Sequence, residues 1–162
     1  MKLPFKLFHA ANDEPRLHEL RELSLFKGLS PREMRELDDL LHERSYQEGE
    51  TIFDEGDTGL GLFIVVEGRV KIFSSHSALQ QLAPELGRGE FFGELSLFDE
   101  EARTGRAMAA EPTRVVALFR TEFFSLLERN RSIAAKILFE LSRTVCQRSR
   151  KLAMGKQHPP IL

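Results

Sequence analysis

Leucines at helical spacing among charged residues mark 13–45 as the first zone of the chain. Within it, Ser30-Pro31-Arg32-Glu33 reads as a helix start: a serine N-cap, proline at the first helical position, and glutamate three residues after the cap. Met34, Leu37, Leu40 and Leu41 then fall on one helical face. From about Tyr46 to Phe119 the pattern changes to short runs broken by Glu48-Gly49, Gly56-Asp57, Gly68 and Gly87-Arg88-Gly89. Between these turns, strands are predicted at Thr51–Phe53, Leu62–Val66, Arg69–Phe73 and Thr113–Phe119. Short strands without long helices between them predict a sandwich or barrel rather than a parallel α/β sheet. The third zone is helical again. Thr121 is expected to cap a segment carrying Phe123, Phe124, Leu126 and Leu127, and an uninterrupted helix is predicted from Arg131 to Ala153.

That last helix carries two apolar stripes. Ala134, Leu138, Leu141, Val145 and Leu152 follow alternating steps of four and three, with Arg148 at the remaining seam position. Ile133, Ile137 and Leu141 form the second. A helix apolar on two sides is expected to pack on its own domain and on a partner, most simply the same helix of a second chain. The plainer alternative is one wide stripe packed on the chain's own core.

Composition narrows the class. At 162 residues, 41% hydrophobic and 30% charged, the chain is of single-domain size, expected as one unit over 1–155 with a tail over 156–162. Its net charge of -2 carries no general signature of nucleic-acid binding. Cys146 is the only cysteine, so neither a disulfide framework nor a cysteine zinc site forms within one chain. No apolar run is longer than that of Leu62–Val66, far short of the roughly 18 residues a membrane helix needs. The start MKLPFKLFHAANDE does not read as a secretory signal, and a cytoplasmic protein is expected.

The informative stretch is Glu90 to Ala109, EFFGELSLFDEEARTGRAMA. Gly93 allows an open backbone, after which Glu94-Leu95-Ser96-Leu97 can form a single helical turn with its first N–H groups free to meet an anion. Arg103 can fold back to grip the same anion through two parallel hydrogen bonds. Glu94 would be repelled by a phosphate, and fits only if it accepts a hydrogen bond from a hydroxyl beside it, such as a ribose 2′-OH. Each residue also has a plain structural reading. Glu94 would complement a helix dipole, and Arg103 would be a solvated arginine balancing Asp99, Glu100 and Glu101.

FGELSLF followed by Arg103-Thr104 resembles the phosphate-binding cassette of the cyclic nucleotide-binding domain, as found in the sensor domain of catabolite-activator proteins. Ile52-Phe53-Asp54-Glu55-Gly56-Asp57 with Leu62–Gly68 is similar to the same family's glycine-turn and strand signature. Leu25-Phe26-Lys27-Gly28-Leu29-Ser30 resembles its lead-in helices, and the final helix its C-helix. The resemblance covers about residues 20–153. It implies an α+β fold, mainly a jelly-roll-like β-roll, with N-terminal helices (13–45), a roll (46–119) containing the cassette (92–105), and C-terminal helices (121–154). It implies a cradle of Gly93, Glu94 and Leu95, with Glu94 on the ribose 2′-OH. Arg103 would pair with the cyclic phosphate, and Thr104 and Gly105 would lie against phosphate or purine. Thr144, Arg148 and Ser149 are its polar candidates for contacting the base. The departures are Gly105 where the family usually has a small residue with a Cβ, Arg106-Ala107 after it, and Phe53 and Leu60 upstream. The ligand implied is cAMP or cGMP, with analogy to bacterial members leaning to cAMP.

An enzyme is not expected. The sequence has no Gly-x-Ser-x-Gly elbow or Gly-x-x-x-x-Gly-Lys loop. Its histidines are scattered at His9, His18, His42, His76 and His158, with only His76 in the strand zone. No helix-turn-helix is expected after the final helix, since only Lys156–Leu162 follow Gly155, with Pro159-Pro160 inside. DNA is therefore not the expected partner. The basic residues of the final helix and tail (Arg131, Lys136, Arg143, Arg148, Arg150, Lys151 and Lys156 against Glu140) read first as complements to a helix C-terminus. The resulting expectation is a cyclic nucleotide sensor, dimeric through its C-terminal helix and acting on another protein. The rival is a domain of the same shape that has lost its ligand and serves as an interaction module.

Overall fold

Strand β3, Gly61–Glu67, is buried along six consecutive residues, Gly61 to Val66. A strand points alternate side chains to opposite faces, so such a run needs cover on both. The computed structural model, which describes residues 13–73 and 84–154, supplies it. Leu62, Ile64 and Val66 enter a core shared with the helices, while Phe63 and Val65 enter a second core between two sheets. The fold is α+β, with the β-roll architecture that the sequence implied.

The elements before β3 are α1 (Asp13–Arg21), a 3-10 turn at Ser24–Phe26, α2 (Pro31–Asp38), β1 (Leu41–Tyr46) and β2 (Thr51–Phe53). After it come β4 (Val70–Phe73), β5 (Glu85–Leu86), β6 (Phe91–Phe92), a 3-10 turn at Glu94–Leu97, β7 (Arg106–Ala109) and β8 (Thr113–Phe119). The chain then closes with α3 (Arg120–Arg129) and α4 (Arg131–Ala153). One antiparallel sheet has the order β1-β8-β3-β6 and the other β2-β7-β4-β5. Strand β8 repeats the two-sided pattern of β3, with Val116 and Leu118 toward the helices and Val115 and Ala117 between the sheets.

Three sequence expectations are corrected. The first helical zone ends at Asp38, and Leu41–Tyr46 is a strand, since all six of its residues pair with β8 from Leu41↔Leu118 to Tyr46↔Thr113. Its polar sequence LHERSY hides this, because only Leu41 of β1 is fully buried. Leu40 and Leu41 therefore do not extend the α2 face of Met34 and Leu37. His42 consequently lies in a strand, whereas His76 falls outside the described residues, as do His9, His158 and the 156–162 tail. Finally, Thr121 is not a cap: α3 begins one residue earlier, after an extended Phe119.

The helix start at Ser30 forms as its sequence predicts. Ser30 accepts from the Glu33 backbone N–H, and the Glu33 carboxylate accepts from the Ser30 N–H at 2.8 Å. The same carboxylate accepts from Lys136 Nζ at 2.8 Å, tying α2 to α4 and holding the Glu33 pKa down at about 2. On α4, Ile133, Ala134, Ile137 and Leu141 enter the helix-side core. Burial of each large apolar side chain there is worth roughly 1.5–3 kcal/mol. Replacing Ser30 with alanine is expected to lower stability by about 1 kcal/mol, the usual cost of a lost N-cap. Urea denaturation monitored by circular dichroism checks this, and an unchanged midpoint would contradict it.

Candidate functional site

Gly93 ends β6 with φ +75, a left-handed conformation that β-substituted residues rarely adopt. This turns the chain into the 3-10 turn Glu94–Leu97 that the cassette motif predicts. A Cβ at Gly93 would also stand 2.5 Å from Arg103 Nη1, so the glycine makes room for that side chain. Gly93, Glu94, Ser96 and Leu97 are buried, while Leu95 is half-buried.

Arg103 is 6% exposed, which overturns its reading as a solvated counter-charge to Asp99, Glu100 and Glu101. Its Nη1 donates to the Gly93 carbonyl at 2.9 Å and to Ser96 Oγ at 3.0 Å, and its Nη2 donates to the Gly61 carbonyl at 2.8 Å. The guanidinium lies 4.2 Å from the centre of the Phe53 ring. Phe53, a departure from the family pattern in sequence, is therefore the floor under the arginine. Burial lowers the Arg103 pKa to about 10, opposed by the charges of Asp57 and Glu94, so it remains a cation at neutral pH.

Glu94 is 1% exposed and meets the C-terminal helix. Arg148, 3% exposed, donates through Nη1 to Glu94 Oε1 at 2.8 Å and through Nη2 to the Phe91 carbonyl at 2.7 Å. Its guanidinium sits 4.6 Å from the Phe91 ring centre. Burial pushes the Glu94 carboxyl up to about 7, a larger effect than the pull of Arg148 in the other direction. Glu94 Oε2 and Arg103 Nε are buried with no hydrogen-bond partner. The site thus offers a carboxyl oxygen able to accept from a hydroxyl, and a cation able to donate to an anion.

The fold brings together Gly93, Glu94, Arg103 and Arg148 of the sequence candidates. Leu95 and Thr104 line a small cleft with Phe53, Ser96, Asp99 and Arg103, and Gly105 is buried beside it at the start of β7. Thr144 is half-buried one turn before Arg148 on the same side of α4, whereas Ser149 is exposed and roughly 100° round the helix from Arg148. Sequence reasoning missed Ser96 and the carbonyls of Gly61 and Phe91. The signal for Ser96 was its place as the one hydroxyl between Leu95 and Leu97 in the cassette. Backbone acceptors leave no signal in residue type.

The two-stripe reading of α4 also changes. Ala134, Leu141 and Arg148 of the proposed outer seam are buried in this chain's own fold, with Leu138 packed against the same core. The helix-facing surface is therefore one broad stripe. The Leu152 side chain lies outside the described residues. The opposite side exposes Phe139, at 67%, with Ala135, Ser142 and Cys146.

Among the described residues no helix is long and apolar enough to cross a membrane. Residues 43–130 match the family model of the cyclic nucleotide-binding domain. The cyclic AMP receptor protein of Thermus thermophilus is 38% identical over 120 residues, covering 74% of this chain and 56% of that protein. This chain therefore spans little more than half of that relative's length. The crystal structure of the N-terminal domain of a transcriptional regulator from Streptomyces coelicolor superposes with a TM-score of 0.66 at 31% identity, covering 86% of this chain and 98% of that one. A cyclic nucleotide-binding domain from Methylobacillus flagellatus shares the fold at a TM-score of 0.78 and 22% identity, over 91% and 88% of the two chains. With the family match spanning more than half of the sequence and enclosing both Glu94 and Arg103, the chain belongs to the cyclic nucleotide-binding domain family.

Proposed function

We propose that this chain is a regulatory sensor that binds cAMP, or cGMP, beside the Glu94–Leu97 turn. The observation that carries the reading is the pair of buried, unpartnered atoms Glu94 Oε2 and Arg103 Nε. A buried polar atom without a partner is costly, and a ligand joining a sugar hydroxyl to an anionic phosphate matches both at once. Glu94 accepts from the ribose 2′-OH. Arg103 and the backbone N–H groups of the turn bind the phosphate, while Leu95, Thr104 and Gly105 border it. Thr144 and Arg148 form the α4 side of the pocket, with Ser149 on the adjoining exposed face of the same helix. The preference for cAMP follows the name of the Thermus relative.

Ligand changes how α4 is held, because Arg148 and the ribose share Glu94. A ligand shifts an equilibrium only through contacts that differ between states, and this shared carboxylate is one. The chain acts in the cytoplasm on a partner protein rather than as an enzyme. It pairs with a second copy through the exposed side of α4, around Phe139 and Cys146 rather than through the buried Leu141 seam.

Titration calorimetry of nucleotide-stripped protein is expected to give saturable heat with cAMP or cGMP. Arg103→Ala should weaken binding roughly 30-fold or more, from the about 2–5 kcal/mol lost when one partner of a buried charged pair is truncated. Absence of heat and of any melting shift at millimolar nucleotide would establish the ligand-free interaction module instead. In the same samples, amide exchange over 131–153 should slow on nucleotide addition, and unchanged exchange would refute the coupling to α4.

The Glu94 carboxyl gives a pH signature. Its folded pKa, about 7, lies above the ordinary value of 4.5, so the folded chain retains a proton that the unfolded chain has released in that window. Its contribution is full below pH 4.5 and is lost as pH rises through 7. The stability of the protein relative to Glu94→Gln should therefore fall between pH 5 and 7.5. A difference that is flat or rises with pH would contradict this assignment.

Dimerisation has its own test. Phe139→Glu should convert a sedimenting dimer to a monomer without changing the circular dichroism spectrum. A monomeric parent, or a variant that stays dimeric, would exclude this interface.

A further inference from the structure

The guanidinium of Arg103 has five N–H donors in a fixed plane, and their assignments can be counted. Both Nη1 hydrogens are used, one by the Gly93 carbonyl and one by Ser96 Oγ. One Nη2 hydrogen goes to the Gly61 carbonyl. Among the described residues Nε–H and the second Nη2 hydrogen remain, and these belong to the two nitrogens that form the side-on fork of an arginine. That fork is the edge that grips an anion through two parallel bonds. Two of the three acceptors that leave it available are backbone carbonyls. The third is the hydroxyl of Ser96, 3% exposed.

The room for that hydroxyl is itself built. A Cβ at Gly59 would land on Ser96 Oγ and stand 2.5 Å from Ser96 Cβ. No positive φ calls for glycine at this position, so its distinguishing requirement is the space that Ser96 takes. The turn bearing Gly59 is fastened to the arginine on both sides of the Arg103 peptide. The Gly56 N–H donates to the Arg103 carbonyl at 2.9 Å, the Arg103 N–H donates to the Asp57 carbonyl at 2.8 Å, and Thr58 bridges Ala102. The turn therefore moves with the arginine, and Ser96 sits between them.

We propose that Ser96, accommodated by Gly59, is a positioning residue that locks Nη1 of Arg103 so that its Nε–Nη2 edge is presented to the phosphate of the ligand. Without this acceptor one Nη1 hydrogen is freed, and the guanidinium can rotate over the Phe53 ring toward other acceptors. An accepting hydroxyl also keeps its own O–H, which is available to donate to a phosphate oxygen. This role rests on the nucleotide-binding reading given above.

The test is a double-mutant cycle read by titration calorimetry with cAMP and cGMP on the full chain. Ser96→Ala is expected to weaken binding about tenfold with Arg103 present. In an Arg103→Lys background, where no fork exists to be aimed, the same change should cost less than twofold. A residue that merely supports the turn would cost the same in both backgrounds. Ser96→Cys, nearly isosteric but a weak acceptor, should reproduce the loss and serves as the second variant if Ser96→Ala fails to fold. Parental affinity in Ser96→Ala and Ser96→Cys, or equal losses in the two backgrounds, would overturn the positioning role while leaving nucleotide binding intact. A parent protein that binds neither nucleotide would overturn the binding reading itself, and this role with it.

Discussion

Three ionisable side chains, Glu94, Arg103 and Arg148, are almost entirely removed from water around one short turn, and the rest of the structure is arranged to tolerate them. Removing an ion from water costs several kcal/mol even after relaxation, so each needs partners with good geometry. Glu94 and Arg148 supply this to one another, and Arg148 also takes the Phe91 carbonyl. Among the described residues, no carboxylate hydrogen-bonds to Arg103. It is held by two carbonyls and a hydroxyl, and by the face of Phe53. A buried cation satisfied only by neutral acceptors gains most from an anion. The electrostatics therefore favour a negatively charged ligand before any particular ligand is considered.

The sheets exist to bring these groups together. Strands β3 and β8 bury both faces, so they form the wall shared by the helix-side core and the inter-sheet core. Phe91 and Phe92, adjacent in β6, divide between the same two cores and carry the chain directly into Gly93. The cassette therefore starts at a point fixed from both sides. Helix α4 is fixed independently by Ile133, Ile137 and Leu141 in the helix-side core and by Lys136 on Glu33. Arg148 lies further along the same helix, so its reach to Glu94 follows from packing two turns earlier. The Glu94 carboxylate is thereby joined directly to the 23-residue helix.

Much of this was legible in the residues. The capping box at Ser30, the apolar run through Leu62–Val66 and the β-branched run of β8 each carry their own periodicity or cap chemistry, and each forms where expected. The turn after Gly93 was also readable from the cassette, as were Glu94 and Arg103 as the candidates that the fold buries beside it. Strand β1 was not, because LHERSY owes its extended form to pairing with β8 rather than to its own side chains. The seam of α4 was misread for a related reason. Periodicity defines a stripe along a helix, but not its partner, which here is the chain's own helix-side core.

Residue type and spacing determined short strands between glycine turns flanked by helices, and the cassette's resemblance to its family implied the β-roll and singled out Glu94 and Arg103 as candidates. Those features are local, written in caps, turns and a period of two. Only the tertiary structure decided that Glu94 answers to Arg148, that Phe53 floors the arginine, and that Ser96 takes up its last Nη1 hydrogen. Each of those contacts joins segments separated in the chain, and burial in a shared low-dielectric site is what gives them their strength.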